Sequence, residues 1–370
     1  MTAAYATVSH DPLFTGAQGF VYNANPARVL FGVGVIEKID DELTRLGIDR
    51  ALVLSTPNQR ALADRVGSLI GGRLAGVFDQ AVMHVPVETV RAGRAAAGAA
   101  AATGIVAVGG GSTLGLAKAI ALEMGLPIVA IPGTYAGSEM TPIYGITDGA
   151  LKTTGRSERV LPRTVLYDPS LTLTLPMPIS AASGLNAIAH AAEALYAEDA
   201  NPVTSLMAEE GIRSLARGLL DLRVQPTAID ARSLCLYGAW LCGTALGSVS
   251  MALHHKLCHT LGGSFNLPHA ETHAIVLPHS IAYNAPAAPV AAKRIAHALR
   301  ADDAAQGLYD LGRALEIPVG LQAIGLAESD LDVAAQLAMR SPYANPRVLS
   351  QEAIRQLLDD AFHGRPPRRW

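Results

Sequence analysis

Cysteine is scarce in this sequence. The 370 residues contain three, Cys235, Cys242 and Cys258, at spacings unlike a zinc clip, so a disulfide framework is excluded and they read as reduced core residues. Cys258 adjoins a candidate catalytic histidine, but nothing near it in sequence forms an acyl-transfer site. Long hydrophobic runs are missing too. Residues 95–103 and 104–108 are short or broken by glycine, under the roughly 20 that a bilayer crossing needs, so no membrane partner is expected. Neither charge sign dominates: the net charge is -3 and there is no basic stripe, which argues against nucleic acid. No positively charged start leads into an apolar stretch and cleavage site, which makes the cytoplasm the expected compartment. The arginine-rich end, residues 365–370, reads as a frayed tail.

Apolar residues, by contrast, are abundant. They make up 50% of the chain against 16% charged, which excludes disorder, and the length exceeds what one core usually serves, so two domains are expected. The first half alternates short β-branched runs (28–31, 51–55, 74–78, 104–108, 127–131, 164–167) with helical stretches (35–46, 58–70, 87–102, 112–124). That alternation is the pattern of a parallel sheet covered by helices. From about Ile179 the strand signal stops and amphipathic stretches take over. Residues 168–178 carry Pro169, Pro176 and Pro178 and form the natural boundary. The expected domains are an α/β dinucleotide-binding unit over 1–170 and an all-α substrate and catalytic unit over 171–370.

The strand at 104–108 runs into Gly109, Gly110, Gly111 and Ser112, and a helix follows at once. Such a turn lets backbone N–H groups approach a pyrophosphate, and the helix N-terminus adds partial positive charge. A second cluster follows the next strand, from Pro132 through Thr134, Tyr135 and Ser138 to Glu139. The second strand ends Leu54, Ser55, Thr56 with no carboxylate to repel a 2′-phosphate, so both NADH and NADPH are expected to serve. Asp49 and Asp79 are the acidic groups that could approach from elsewhere.

Six of the eleven histidines fall between His254 and His279. His255 and His259 lie four apart and share a helix face; His269 begins what reads as a new helix after Pro268; Asn186 and His190 form another i, i+4 pair. One buried histidine is ordinarily a satisfied core residue. Two such pairs on apolar helices are costly to bury without a shared ligand, metal or hydrogen-bond network.

The segments PARVLFGVG, AVGGGS, IPGTYAGSE, GLNAIAHAAEALYA and HHKLCHTLGGSFNLPHAETH, in this order, resemble the iron-containing alcohol dehydrogenase family over nearly the whole chain. The resemblance implies a fold like those dehydrogenases and the dehydroquinate synthases. In metal-dependent members an Asp and three His hold the ion, at positions that correspond to Asn186, His190, His255 and His269. Asn186 departs from that pattern. With LVLSTPNQ, TYAGSEMTPIYGIT, KTTGR and AEEGIRSLARGL, it matches the maleylacetate reductase branch, which requires no metal; Gly133 and Ala344 depart from the branch. The branch implies NAD(P)H-dependent reduction of maleylacetate, a small dicarboxylate, to 3-oxoadipate in aromatic-ring degradation, commonly by a homodimer. Lys152, in KTTGR, joins Thr56 and the two loops as an expected cofactor contact.

On this reading hydride goes to the alkene carbon β to the ketone, and donors from the histidine cluster hold the enolate oxygen. An enolate spreads its charge and needs less Lewis-acid help than a localised alkoxide. His259 is the expected general acid. His190, His255, His269 and His273 shape the pocket beside Asn186, while Lys256 and protonated histidine neutralise the carboxylates. Three alternatives stay open: an alcohol dehydrogenase or carbonyl reductase holding Fe²⁺ or Zn²⁺ with His190, His255 and His269; a relative acting on another enedioate in a biosynthetic pathway; and a non-catalytic binding protein.

Overall fold

The computed structural model describes residues 20–370 apart from positions 23, 25–27, 150 and 341–342 and the side chains of 151 and 152. Its main sheet has six parallel strands: β1 (Arg28–Phe31), β2 (Ala51–Leu54), β3 (Leu74–Phe78), β4 (Gly104–Gly109), β5 (Ile128–Pro132) and, after a hairpin of β6 (Ile143–Asp148) and β7 (Leu151–Arg156), β8 (Thr164–Tyr167). They lie in the order β1-β8-β5-β4-β2-β3. β2, β4, β5 and β8 are buried throughout, which explains their unbroken apolar runs: a parallel sheet is covered on both faces. The covering helices are α1 (Ile39–Arg45), α2 (Arg60–Ile70), α3 (Val87–Ala99) and α4 (Gly111–Met124). The strand order reverses between β2 and β4, and ligands of such sheets bind in the crevice at the carboxyl ends there.

After Tyr167 the described chain is helical: α5 (Met177–Ala194), α6 (Pro202–Val224), α7 (Ile229–Ser248), α8 (Leu253–Phe265), α9 (His269–Asn284), α10 (Pro289–Leu299), α11 (Ala304–Ala314), α12 (Leu331–Ala338) and α13 (Gln351–His363). α5 is buried from Ser180 to Ala194 and packs against α6, α7 and α9. Among the described residues no single helix is long and apolar enough to cross a membrane. The bent pair α7–α8 passes by composition but carries buried Arg232, His254 and His255.

Four expectations change. The helices at 35–46 and 58–70 open as 3-10 turns, Val35–Lys38 and Pro57–Gln59, and the one at 87–102 stops at Ala99 because Ala101 turns left-handed at φ 46°. The β6–β7 hairpin was not foreseen: β6 is only half buried, the described side chains of β7 are mostly exposed, and both strands stand outside the main sheet. It docks through Thr147, whose N–H donates to Val85 O at 3.1 Å and whose hydroxyl donates to His84 O at 2.6 Å. The C-terminal segment is not frayed, since Arg368 pairs with Asp360 at 2.9 Å and the Trp370 ring meets that of Tyr283 at 5.1 Å.

Candidate active site

At the carboxyl ends of β4 and β5 the cradle is made by leaving side chains out. Gly109 adopts φ +142°, which L side chains rarely do, and a Cβ there would lie 2.7 Å from Thr113 Oγ1. α4 then begins at Gly111 without a side-chain cap, so its first N–H groups face the crevice in the way that binds a phosphate. Gly133 N–H donates to Gly109 O at 3.0 Å and joins the two loops. Gly137 at φ +76° packs against Gly243 of α7, where a Cβ would stand 3.0 Å from the Gly243 Cα. Lys118 fixes the far end of the second loop by donating to Ser138 O (2.7 Å), Thr141 Oγ1 (2.9 Å) and Ile143 O (2.8 Å). Burial pushes its ammonium down to about 7.

Gly109, Gly110, Gly111, Ser112, Thr134 and Thr56 therefore gather at one crevice, with Gln59 laid against Gly109 and Gly133. Tyr135 is a correction: its ring is buried and its hydroxyl accepts from Arg232 at 2.9 Å, so it is a strut and only its backbone borders the loop. Asp49 precedes β2, at the opposite end of that strand, and pairs with Arg73 at 2.9 Å. Asp79 follows β3 and pairs with Arg60 at 3.0 Å. The side chain of Lys152 lies outside the described residues.

The second part of the site is a nest of side chains between α5, α8 and α9. His190 Nδ1 and His255 Nε2 share a hydrogen bond of 2.8 Å, and His255 Nδ1–H donates to Glu193 Oε2 at 2.6 Å. Glu193 is fully buried. It also accepts from the backbone N–H groups of Ala252 (3.1 Å), His254 (2.8 Å) and His255 (3.3 Å), which caps α8 from another helix. Burial alone would raise its carboxyl, but the bonds to His255 and these N–H groups hold it down at about 2. The ring of His273 lies 5.0 Å from that of His255 and 4.4 Å from that of His269. His259, on the exposed side of α8, is 6.0 Å from His255 and 6.3 Å from His269.

Hydrogen-bond directions fix the protons deeper in the nest. Ser280 donates its hydroxyl proton to Leu277 O at 2.9 Å, so at 3.0 Å it accepts from His254 Nδ1–H. Burial holds His254 neutral, with its imidazole down at about 3, so His254 Nε2 accepts at 2.9 Å from His273 Nδ1–H. His273 is also pushed well below the usual histidine range by burial, which leaves its buried Nε2 an unprotonated acceptor without a partner. His190 is held down in the same way. Burial thus favours the neutral form of both His190 and His273. Lys256 stays half-buried, with Nζ 5.7 Å from the centre of the Tyr343 ring.

The donor set does not fit the metal that the family's name implies. Asn186 supplies a neutral oxygen, buried and unpartnered, where a carboxylate would stand. The facing nitrogens of His190 and His255 are bonded to each other, and Glu193 is occupied by His255 and the start of α8. Among the described residues the metal-ligand atoms that converge within 4.8 Å belong to His254, Cys258 and His273. Two of those nitrogens also bond one another, and burial raises the Cys258 thiol well above its ordinary value.

Residues 26–169 match the family described as iron-containing alcohol dehydrogenase, and 180–362 match its C-terminal part. The chain belongs to this family and is an oxidoreductase with its two-part fold. Within it, a maleylacetate reductase from Burkholderia cepacia is 56% identical over 348 residues, 94% of this chain and 99% of that one. The solved maleylacetate reductase of Agrobacterium tumefaciens superposes with a TM-score of 0.91 at 52% identity, covering 95% of this chain and 100% of that one. A Ralstonia eutropha JMP134 structure, assigned only provisionally as an alcohol dehydrogenase, gives 0.94 at 60% with the same coverage.

Glu193, His254, Ser280, Gln59, Lys118 and Arg232 were missed by sequence reasoning. A signal existed for Glu193 alone: it stands seven residues after Asn186 and so recurs on the same face of α5.

Proposed function

We propose that the chain reduces the carbon–carbon double bond of maleylacetate to give 3-oxoadipate, using NADH or NADPH and no metal. The observation that carries the chemistry is Asn186, a neutral group where a metal-binding member would have a carboxylate, beside a histidine pair whose nitrogens bond each other.

When bound, the nicotinamide supplies the hydride. The protein's own part is to orient an enedioate, stabilise the enolate and return a proton to the carbanionic carbon. His259 suits the last task because it faces out from the cluster, where solvent can reload it. Lys256 is the cation assigned to a substrate carboxylate, since burial keeps His190 and His273 neutral. His255 and His269 border the same space. Use of both cofactors is supported by Thr56 at the end of β2 and by Arg60, which ties up Asp79. Three free, buried cysteines and a nicotinamide cofactor suit the cytoplasm. A homodimer is supported by β1, an edge strand followed by the exposed Val33.

The test is oxidation of NADH with freshly generated maleylacetate, set against simple aldehydes and ketones. Maleylacetate should be the strongly preferred substrate. Equal or faster turnover of simple carbonyls would overturn the proposal.

A further inference from the structure

We infer that Glu193 is the positioning residue of the histidine nest, acting on the reaction through His255. Its carboxylate makes two kinds of contact. One is the 2.6 Å bond from His255 Nδ1–H, which leaves Nε2 as the nitrogen facing His190. The other is the set of N–H groups at the start of α8, the helix that carries His255, Lys256 and His259. Asn345 Oδ1 accepts the remaining N–H there, from Leu253 at 3.3 Å, so the helix start is fully capped. Glu193, His190 and Asn186 all lie on α5, so the helix that supplies the anchor also carries two residues of the nest.

The chain of contacts continues from His255 to His190. His190 shares the 2.8 Å hydrogen bond with His255 and stacks on its ring, with the ring centres 5.0 Å apart. Glu193, His255 and His190 thus form one path from a buried carboxylate across the nest. All three are buried, and His255 uses a different ring nitrogen for each of its two bonds. A glutamine at 193 could accept from His255 or from the helix N–H groups, but its NH₂ would oppose a donor on the other side. The effect should reach turnover through the orientation of His255, in the way that outer-shell partners act on the groups they hold.

The kinetic arm of the test rests on the reductase reading; the spectroscopic arm does not. Glu193→Gln should lower kcat with maleylacetate by about 10- to 100-fold while the KM for NADH changes little. In a His255→Gln background, adding Glu193→Gln should lower kcat by much less than in the wild type, because the route through residue 255 is already cut and only the cap on α8 is left to lose. Single effects that multiply in the double variant would overturn the inference. Imidazole NMR of the wild-type protein should show a strongly deshielded proton on His255 Nδ1, assigned by its loss in His255→Gln. No such proton in the wild type would equally overturn it, even where Glu193→Gln does not fold. Wild-type protein that shows the resonance yet does not reduce maleylacetate would sink the substrate reading and leave the position of Glu193 standing.

Discussion

Around the cofactor cradle Gly109, Gly137 and Gly243 keep side chains out, whereas the nest between α5, α8 and α9 packs in His190, His254, His255 and His273 with Glu193 and Asn186. The first works by backbone: N–H groups and a helix start, exposed because no Cβ stands in front of them. The second works by side chains that satisfy one another, and its properties follow from which nitrogen bonds which partner. The contrast teaches where each part is vulnerable. An added methyl group is the threat to the cradle, and a lost or reversed hydrogen bond is the threat to the nest.

The largest effect should come from the nest. His259→Ala is expected to cut kcat by roughly 10²- to 10⁴-fold, the range lost with a general acid, with NADH affinity nearly unchanged by fluorescence titration. Lower stability with normal turnover per folded molecule would make His259 structural. In the cradle, Gly109→Val forces a side chain into φ +142° and should weaken NADH binding by about tenfold or more. Gly111→Ala, whose Cβ meets nothing within 4 Å, should leave the melting temperature unchanged. Gly110→Val should act in the same direction, since its Cβ would lie 2.8 Å from Thr134 Cγ2 in the neighbouring loop. Normal NADH affinity in Gly109→Val would move the cofactor elsewhere.

Asn186→Asp tests the nest from the opposite direction. The new carboxylate should draw Fe²⁺ or Zn²⁺ to the site, raising bound metal by elemental analysis, and should lower maleylacetate turnover through repulsion of a dianion. Full activity without metal uptake would mean that position 186 does not face the site.

A smaller, graded effect is expected in acid. His254 and His279 are held at about 3 and about 4, below the 6.5 they would have in an unfolded chain. As pH falls below 6.5 the unfolded state takes up protons that these buried rings refuse, so each lowers stability progressively until the pH reaches its own folded value. Glu193, held at about 2 against an ordinary 4.5, acts lower: its stabilisation is present above 4.5 and is lost as pH falls towards 2. The melting temperature should therefore drop steeply from pH 6.5 to 4. A flat profile would mean that the histidines are hydrated and free to charge.

The difference between cradle and nest also decided what could be read from the sequence. The cradle is local: a strand, three glycines and a helix start within ten residues, so Gly109 to Ser112 and the loop around Thr134 were legible. Tyr135 misled because nothing nearby announces Arg232, 97 positions away, as its partner. In the nest, the i, i+4 spacings put His255 with His259 on one helix face and Asn186 with His190 on another. The bonds that set their chemistry run between helices: Glu193 to His255 spans 62 positions and His254 to Ser280 spans 26. Periodicity can predict which face a residue occupies but not which ring nitrogen carries the proton. The β6–β7 hairpin was hidden for another reason, since its half-buried and exposed strands have no clean alternation of apolar and polar residues.

The measurement that bears most directly on the account is maleylacetate-dependent NADH oxidation by protein dialysed exhaustively against a chelator, with metal content determined on the same sample. The account predicts undiminished turnover with far less than one metal ion per chain. Loss of activity on chelation, restored by Fe²⁺ or Zn²⁺, would contradict it and return His190, His255 and His269 to the role of metal ligands.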